Sequence, residues 1–340
     1  MRTLTIASAL ALTLALLSVA PMPGRAQSLG GVGMDTDPVS LTLSPASPAP
    51  HQPFTLSLES SMLNLANSSF SVSVNGKKVA DGTGRTPVSL TAGAGGAPMS
   101  ISVSISSAGQ TYQKTVVLRP AGLVLVTEPL SSAPILYPGK SGIPVMGGAR
   151  IVAVPDFRTK DGTPIDPHTL SYTWRVDDSQ TLVKDSGIGK STVIVATPLP
   201  YRTKTVAVTV QDQTGSLVAS QSVTLAPTDP TVRVYASDPL MGTLYEHALS
   251  SSYTMPGSDA TFVAVPYGFP TDTNAPQITW YLNEQKSQTG ERITLQPQGS
   301  GEGSEALAVS VSTPATSARA SANFQLLFKA EARGSGLFGL

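Results

Sequence analysis

Cysteine does not occur in this 340-residue sequence. Its absence excludes disulfide bonds, thiolate metal ligands and a thiol nucleophile. Charge is also scarce, because Asp, Glu, Lys and Arg make up only 13% of the chain, against about 25% in a typical soluble domain. Basic and acidic residues balance at 22 each, so no positive field would attract nucleic acid or an anionic membrane. We therefore expect no nucleic-acid partner.

Amphipathic helical patterns are missing beyond the N-terminus, since Pro and β-branched residues interrupt every candidate segment. The polarity comes instead from Ser, Thr, Gln and Asn, a mixture that suits the outer faces of strands. The 30 Gly and 28 Pro residues indicate many turns. The sequence therefore predicts an all-β fold.

The N-terminus has the pattern of a secretory signal peptide over residues 1–26. Arg2 supplies a positive charge, residues 6–20 form an apolar run, and small residues precede a cleavage site between Ala26 and Gln27. The alternative is a retained membrane anchor, although the apolar run is shorter than the roughly 20 residues needed to span a bilayer. No later stretch is long and apolar enough to span. We expect an extracytoplasmic protein, secreted or associated with the cell surface, without a transmembrane segment after cleavage.

The rest of the chain is long enough for three domains of ordinary size. Residues 27–37 are Gly-rich and predicted to be a flexible lead-in. The predicted fold is a tandem array of immunoglobulin-like (Ig-like) β-sandwiches. Their predicted limits are 38–120, 121–227 and 228–332, followed by a flexible C-terminal tail over 333–340.

Two tryptophans mark the centres of the second and third domains. Trp174 lies in LSYTWRV and Trp280 lies in QITWYL, both short alternating runs. Because strand side chains alternate between two faces, each Trp shares a face with its apolar neighbours two positions away. A large aromatic residue on the buried face of a strand typically fills the middle of a two-sheet core. We predict that each Trp is the central core residue of its sandwich.

Domain three repeats domain two. IVAVP begins at Ile151 and FVAVP begins 111 positions later, at Phe262. Trp280 follows Trp174 by 106 positions. A period of this size matches a whole sandwich domain, typically about 100 residues, rather than the much shorter unit of a solenoid.

Domain two resembles bacterial Ig-like sandwiches of the PKD type. The resemblance is carried by YTWRVDD at 172–178 and by a later V-x-V-x-D-x-x-G hairpin. Where the family usually has an FGDG-like turn, this chain has Val-Asp-Asp-Ser at 176–179. The resemblance implies an exported module used for adhesion or spacing, and it implies no reaction. The matching hairpin residues are Val208, Val210, Asp212 and Gly215.

Short stretches resemble parts of catalytic or cofactor-binding motifs, but the residues around them do not fit those motifs. Gly189-Lys190-Ser191 resembles the end of a phosphate loop, but Lys184 stands where that loop needs Gly and the following residues read as a strand. The three histidines are widely separated, and no nucleophile elbow or paired carboxylates occur. We predict a non-enzymatic protein without a cofactor.

Five aspartates are weak candidates for calcium ligands in loops. Carboxylates and carbonyls are the ligands that Ca²⁺ prefers, yet the spacing matches no defined calcium loop. Ordinary turns explain these residues more simply, so no metal site is predicted. The candidates are Asp156, Asp161, Asp166, Asp177 and Asp178.

The chain ends with three large apolar residues after a Gly-Ser-Gly hinge: Leu337, Phe338 and Leu340. They fit a frayed terminus, a short docking peptide for a partner, or a tail that folds back on domain three.

The favoured function is an exported, non-enzymatic structural or adhesion module of the cell surface or of an appendage, with other surface or appendage proteins as partners. One alternative is a carbohydrate- or ligand-binding module that uses exposed aromatics such as Tyr137, Tyr267 and Phe269. Another is an accessory part of an exported enzyme system. A coplanar row of exposed rings would favour glycans as partners, whereas aromatics confined to cores and domain junctions would favour a spacer.

Overall fold

A computed structural model describes residues 38–134, 137–256, 259–272, 274–298 and 302–328. Within these ranges the regular structure consists of β-strands and two short 3₁₀ turns, Leu65–Asn67 and Pro167–Thr169. None of the described segments is a helix long and apolar enough to cross a membrane. The predicted signal peptide, the lead-in and the apolar tail with Leu337, Phe338 and Leu340 lie outside the described residues.

The first sandwich has seven strands in two sheets. One sheet has the order β1-β2-β5 and the other β4-β3-β6-β7. The strands are β1 (Ser40–Ser44), β2 (Pro53–Glu59), β3 (Ser69–Val74), β4 (Lys77–Thr83), β5 (Val88–Thr91), β6 (Met99–Ser107) and β7 (Gln110–Leu118).

The second sandwich has the same arrangement of strands with one additional short strand, β12. Its strands are β8 (Gly122–Leu130), β9 (Gly148–Asp156), β10 (Ser171–Val176), β11 (Gln180–Thr181), β12 (Gly187–Ile188), β13 (Thr192–Ala196), β14 (Lys204–Gln211) and β15 (Val218–Leu225). One sheet has the order β13-β9-β8 and the other β11-β10-β14-β15, with β12 also paired to β10.

The third sandwich adds two strands, β17 and β18, between its first two core strands. Its strands are β16 (Thr231–Asp238), β17 (Gly242–Ala248), β18 (Ser252–Thr254), β19 (Ala260–Tyr267), β20 (Gln277–Leu282), β21 (Gln285–Thr289), β22 (Arg292–Leu295), β23 (Gly303–Ser312) and β24 (Arg319–Phe328). The sheets have the orders β17-β16-β19-β22 and β18-β24-β23-β20-β21. The pairing of β18 with β24 is parallel.

One strand order is common to the three sandwiches. The sheet β1-β2-β5 of the first corresponds to β8-β9-β13 of the second and β16-β19-β22 of the third. The opposite sheet has the order β4-β3-β6-β7, β11-β10-β14-β15 and β21-β20-β23-β24. This is the Ig-like division of strands between two packed sheets, so the prediction of an all-β tandem Ig-like fold is confirmed.

One position of the central strand is equivalent in all three sandwiches. The middle residue of β3, β10 and β20 is buried and lies opposite a buried valine of β6, β14 and β23. Val72 therefore occupies the position that the tryptophans occupy in the other two copies. The equivalent pairs are Val72 with Val103, Trp174 with Val208, and Trp280 with Val309.

A second repeated feature is an Asn or Asp directly after each of these strands. Asn75, Asp177 and Asn283 have φ values of 50°, 48° and 49°, in the left-handed region that these residue types tolerate. Each donates its backbone N–H to a carbonyl of the neighbouring strand, and its side-chain oxygen accepts an N–H from the same partner residue. The partners are Ser100, Thr205 and Ala306.

Each sandwich encloses its own cluster of buried apolar side chains. Trp174 and Trp280 are both 0% exposed. The Nε1–H of Trp174 donates to the carbonyl of Lys190 at 2.8 Å, and that of Trp280 donates to Gly290 at 2.9 Å. A buried N–H without a partner would cost roughly 1–3 kcal/mol, so the carbonyl contacts let a polar ring fill an apolar core.

Replacing either tryptophan with Ala should destabilise mainly its own sandwich, by about 3–5 kcal/mol, because a large cavity remains. In Trp174→Ala the remaining Trp280 reports the third sandwich alone, and in Trp280→Ala the reverse holds. Urea unfolding followed by Trp fluorescence should therefore show a nearly unchanged transition for the surviving Trp. Circular dichroism should show the early loss of the altered sandwich. Equal destabilisation of both sandwiches by either change would contradict the separation of the cores.

Candidate functional site

The five aspartates considered as calcium ligands lie on the surface. Asp156 pairs with Arg158 at 2.9 Å, and the Asp166 carboxylate accepts the backbone N–H of His168 at 2.9 Å. Asp177 is engaged by Thr205, as described above. Across the ranges that the structure describes, no group of three or more acidic or His side chains could hold a metal ion. The exposed residues are Asp156, Asp161, Asp166, Asp177 and Asp178.

Four tyrosines meet where the second and third sandwiches join. They line an open cleft of about 430 Å³, which we call the tyrosine cleft. Tyr137 and Tyr267, which sequence reasoning singled out, lie there together. The other two rings are Tyr235 and Tyr245, which sequence reasoning did not identify.

Three different elements bring the rings together. Tyr235 on β16 and Tyr267 on β19 lie on the same outer face of one sheet, because strand positions two apart point the same way. The edge strand β17 supplies Tyr245. The segment between β8 and β9 belongs to the second sandwich and supplies Tyr137.

The rings form a concave cluster rather than a flat row. Tyr137 contacts Tyr267 edge to face, with ring centroids 5.7 Å apart and planes at 69°. Tyr235 contacts Tyr245 at 5.3 Å and 60°. The hydroxyls of Tyr235 and Tyr267 lie 2.8 Å apart and share a hydrogen bond. A coplanar aromatic platform, the arrangement that would have favoured glycans most simply, is therefore not what these four residues form.

Phe269 does not belong to the cleft, and its prediction as an exposed aromatic is wrong. Its side chain is 0% exposed and packs into the core of the third sandwich. The preceding Gly268 has a φ of 74°, a left-handed conformation that glycine adopts without strain. The chain turns there, so Phe269 enters the core while Tyr267 stays at the cleft.

The hydrogen bond between the two hydroxyls favours the protonated form of Tyr267. Burial raises the pKa of Tyr267, and the hydrogen bond with Tyr235 raises it further, against a lowering influence of Arg233. The phenol therefore stays protonated well beyond neutral pH. Since only one of the two hydroxyls donates to the other, the pair keeps one O–H for another acceptor.

The rim of the cleft carries both signs of charge. Lys140 and Arg233 face Asp229 and Glu246 around the same opening, and all four are exposed. Their formal charges cancel, so the cleft presents hydrogen-bonding groups without a net field. Among the lining residues that the structure describes, Ala248 is the one aliphatic side chain.

A short hydrogen-bond ladder joins the two sandwiches beside the cleft. The residues after β8 pair with those after β19 as two strand ends would. Ser131 and Pro270 form a β-bridge, and the Ser132 hydroxyl accepts the N–H of Phe269 at 3.1 Å. The backbone bonds run from Ser132 N–H to Phe269 O (2.7 Å), from Gly268 N–H to Ser132 O (2.9 Å) and from Thr271 N–H to Leu130 O (3.0 Å).

No protein-family description and no curated protein sequence matches the chain. Among solved structures it is similar to the three N-terminal domains of the bacteriophage RB49 highly immunogenic outer capsid protein, with 11% identity, a TM-score of 0.26 and coverage of 86% of this chain and 98% of that one. It is also similar to the central fibronectin-III array of RIM-binding protein, with 13% identity, a TM-score of 0.28 and coverage of 88% and 99%. Fibronectin(III)-like modules of Clostridium thermocellum CbhA share 13% identity, with a TM-score of 0.25 and coverage of 56% and 94%. Such low scores carry no information about function.

The raised pKa of Tyr267 predicts a specific loss of stability in alkali. The folded state keeps the phenol protonated above the ordinary value of 10.0, whereas the unfolded chain ionises it. The stabilisation is therefore complete below that value and lost as the pH rises towards the folded pKa. Urea unfolding at about pH 8 and about pH 11 should show a smaller alkaline loss in Tyr267→Phe than in the unaltered chain.

Tyr201→Phe is the matched control, because Tyr201 is 96% exposed and lies outside the cleft. It should keep the alkaline loss of the unaltered chain. An identical loss in Tyr267→Phe would mean that the shared hydroxyl bond does not hold the Tyr267 proton.

Proposed function

We propose that the protein is an exported, non-enzymatic structural module of a cell surface or surface appendage, in which the second and third sandwiches act as one stiff spacer. The observation that carries the proposal is the hydrogen-bond ladder between residues 130–132 and 268–271. These backbone hydrogen bonds oppose rotation of one sandwich against the other more strongly than a side-chain contact would. Rotation at the joint would leave several N–H and C=O groups unpaired.

The junction between the first and second sandwiches is built differently. Arg119 donates to the Ser216 hydroxyl at 3.0 Å, a single exposed contact worth little by itself. Gly96 packs so closely on Arg158 that an added Cβ would lie 2.1 Å from the Arg158 carbonyl oxygen. Among the described residues no backbone hydrogen bond joins these two sandwiches, so the surfaces that pack at Gly96 can shift without leaving N–H and C=O groups unpaired. The proposal therefore places any bending of the array at this junction.

The proposed domain limits of 38–120, 121–227 and 228–332 fit the three cores. The buried clusters extend from Val39 to Leu118, from Ala121 to Leu225 and from Val232 to Leu326. Each begins and ends inside one proposed domain. The limits are thus part of the proposal, with linkers of only a few residues between cores.

We also propose that the second sandwich is of the PKD type. Its β14–β15 turn supports this, because Asp212 organises it in the way the V-x-V-x-D-x-x-G pattern implies. Burial raises the pKa of Asp212, but hydrogen bonds from Leu217, Thr214 and Ser216 outweigh that effect and leave the pKa below its usual range. A carboxylate held in its charged form by local donors is a turn-forming group.

The proposed partners are other surface or appendage proteins, and the proposed location is extracytoplasmic. The tail residues Leu337, Phe338 and Leu340 are the proposed contact for such a partner. The glycan-binding alternative depends on a different observation, the tyrosine cleft, and the accessory-enzyme alternative has no supporting observation among the described residues.

The stiff junction can be measured with spin labels, because a chain without cysteine accepts two engineered ones at chosen positions. Labels at Ser222→Cys and Asn323→Cys report the second and third sandwiches, and both sites are exposed. Electron–electron distance measurement should give a narrow distribution for this pair. The pair Gln113→Cys and Ser222→Cys, across the first junction, should give a broader one.

Gly147→Ala should loosen the stiff junction. An added Cβ would lie 2.9 Å from both Pro144 and Pro270, an overpacking that typically costs about 1–3 kcal/mol. The distribution between residues 222 and 323 should shift or broaden, whereas the control Gly303→Ala, with open space around it, should leave it unchanged. A broad distribution in the unaltered chain would refute the spacer.

Surface location has a direct test in the native host. Protease added to intact cells should degrade the chain, and deletion of residues 337–340 should release more of it into the medium without changing its melting temperature. Full protection from external protease would place the chain inside the envelope and overturn the proposed location. Unchanged surface retention after the deletion would remove the tail from the proposal.

A further inference from the structure

We infer that the tyrosine cleft is a binding site for a neutral saccharide, a glycan segment short enough to fit its 430 Å³. That volume lies within the usual range of roughly 300–1,000 Å³ for small-molecule sites. The four rings lie at a domain junction and form no flat row, but Tyr137 and Tyr245 stay exposed at the opening. The inference therefore goes beyond the spacer role, because these two rings can contact a ligand whatever mechanical task the junction performs.

Two exposed rings supply the apolar contacts. Tyr137 is 43% exposed and Tyr245 is 52% exposed, so each presents part of its ring to the opening. The ring faces of a sugar carry C–H groups that pack on aromatic surfaces, while its hydroxyls project sideways. An amphipathic aromatic with few rotatable bonds provides such a surface at a low cost in conformational entropy.

The inner tyrosines hold these two rings in place. Tyr267 contacts Tyr137, Tyr235 contacts Tyr245, and the shared hydroxyl bond links the two pairs. Tyr235 is only 5% exposed and packs with Val263 and Val265 beneath the cleft. The exposed rings therefore rest on a fixed support, and a rigid site loses less entropy when a ligand binds.

The polar groups of the cleft suit hydroxyls. A sugar hydroxyl both donates and accepts, so it needs donors and acceptors side by side. The cleft offers the spare O–H of the Tyr235–Tyr267 pair, the cationic donors Lys140 and Arg233, and the acceptor Glu246. Within the described parts of the chain, no ion pair or side-chain hydrogen bond occupies these three charged groups.

The charge balance selects against other ligand classes. Lys140 and Arg233 offset Asp229 and Glu246, so a phosphate or an acidic polymer would meet two carboxylates as well as two cations. A lipid tail or an apolar peptide would find little aliphatic surface among the described lining residues, where Ala248 is the one aliphatic side chain. A neutral, polyhydroxylated ligand matches aromatic faces surrounded by mixed polar groups.

The test is binding of defined trisaccharides to the purified exported chain. Chitotriose, cellotriose, maltotriose and mannotriose are titrated by calorimetry, and saturation-transfer NMR identifies the sugar protons in contact with the protein. At least one trisaccharide should bind saturably, with transfer strongest at ring C–H protons. The inference is wrong if none binds at concentrations up to about 10 mM, well above the millimolar range of weak specific binding.

Matched variants locate the binding. Tyr245→Ala should weaken the affinity at least about tenfold through loss of a stacking surface, whereas Tyr201→Ala, which truncates an exposed ring outside the cleft, should leave it unchanged. Tyr267→Phe keeps the ring, removes one hydroxyl and should weaken binding by a smaller factor. Equal affinity in Tyr245→Ala and the unaltered chain would place the sugar elsewhere and overturn the inference.

Circular dichroism and the 222–323 label distance separate this outcome from other failures. Tyr245 lies on an exposed edge strand, so its truncation should leave both readouts unchanged. If Tyr245→Ala did alter them, Glu246→Gln would serve as a second variant that preserves size and should weaken binding about threefold or more through a poorer acceptor. Loss of sugar binding with an unchanged label distance identifies the cleft and leaves the spacer proposal untouched.

Discussion

One buried strand pairing lies at the centre of each of the three cores, that of β3 with β6, β10 with β14 and β20 with β23. The paired central residues lie 0–1% exposed in all three copies, with Val72, Trp174 and Trp280 on one side. With no cysteine to cross-link the chain and few charges to pair, apolar burial is the main stabilising contribution. The Asn or Asp that follows each strand locks this pairing through two reciprocal bonds. Local turn chemistry and long-range core packing thus agree at the same place, which is the condition for a uniquely folded array.

Much of the fold could be predicted from the alternation of side chains, because a period of two is a local property. The two tryptophans and the similarity of the third domain to the second both follow from short patterns. The first sandwich cannot be recognised as equivalent from the sequence, because Val72 stands where the other two have tryptophan. Valine is common in strands, so it does not mark this position. The shared Asx after the strand, in VNG, VDD and LNE, is the available clue. This clue is easily overlooked, because the sequence alone allows Asp177 to be a metal ligand as well as a turn residue.

The cleft was less predictable, because it is assembled from positions far apart in the chain. Tyr137 and Tyr267 are separated by 130 positions and meet only because the hydrogen-bond ladder aligns two sandwiches. Tyr235 and Tyr245 lie on strands whose outward faces a sequence pattern can suggest. Only the register of β16 on β19, with Tyr235 opposite Val263, puts Tyr235 and Tyr267 on one face of the same sheet. Phe269 shows the converse: a single left-handed glycine reverses which of two nearby aromatics is exposed.

The equivalent outer sheet face is chemically different in each of the three sandwiches, and only in the third does it carry tyrosines of the cleft described above. In the first sandwich that face carries hydroxyls, with Thr42 opposite Ser57. In the second it carries Val124 opposite Val154, 59% and 50% exposed. In the third it carries Tyr235 and Tyr267, and Tyr137 of the second sandwich packs against Tyr267.

The length of that segment decides which junction can be bridged. It covers positions 131–147, whereas the equivalent connection between β1 and β2 covers only positions 45–52. The shorter connection must also join two strands of its own sheet, so it has little length left to reach over a neighbour. The longer one can carry Tyr137 onto the next sandwich and pair with it. The same long connection that supplies the ladder residues Ser131 and Ser132 therefore also supplies Tyr137 to the wall of the tyrosine cleft.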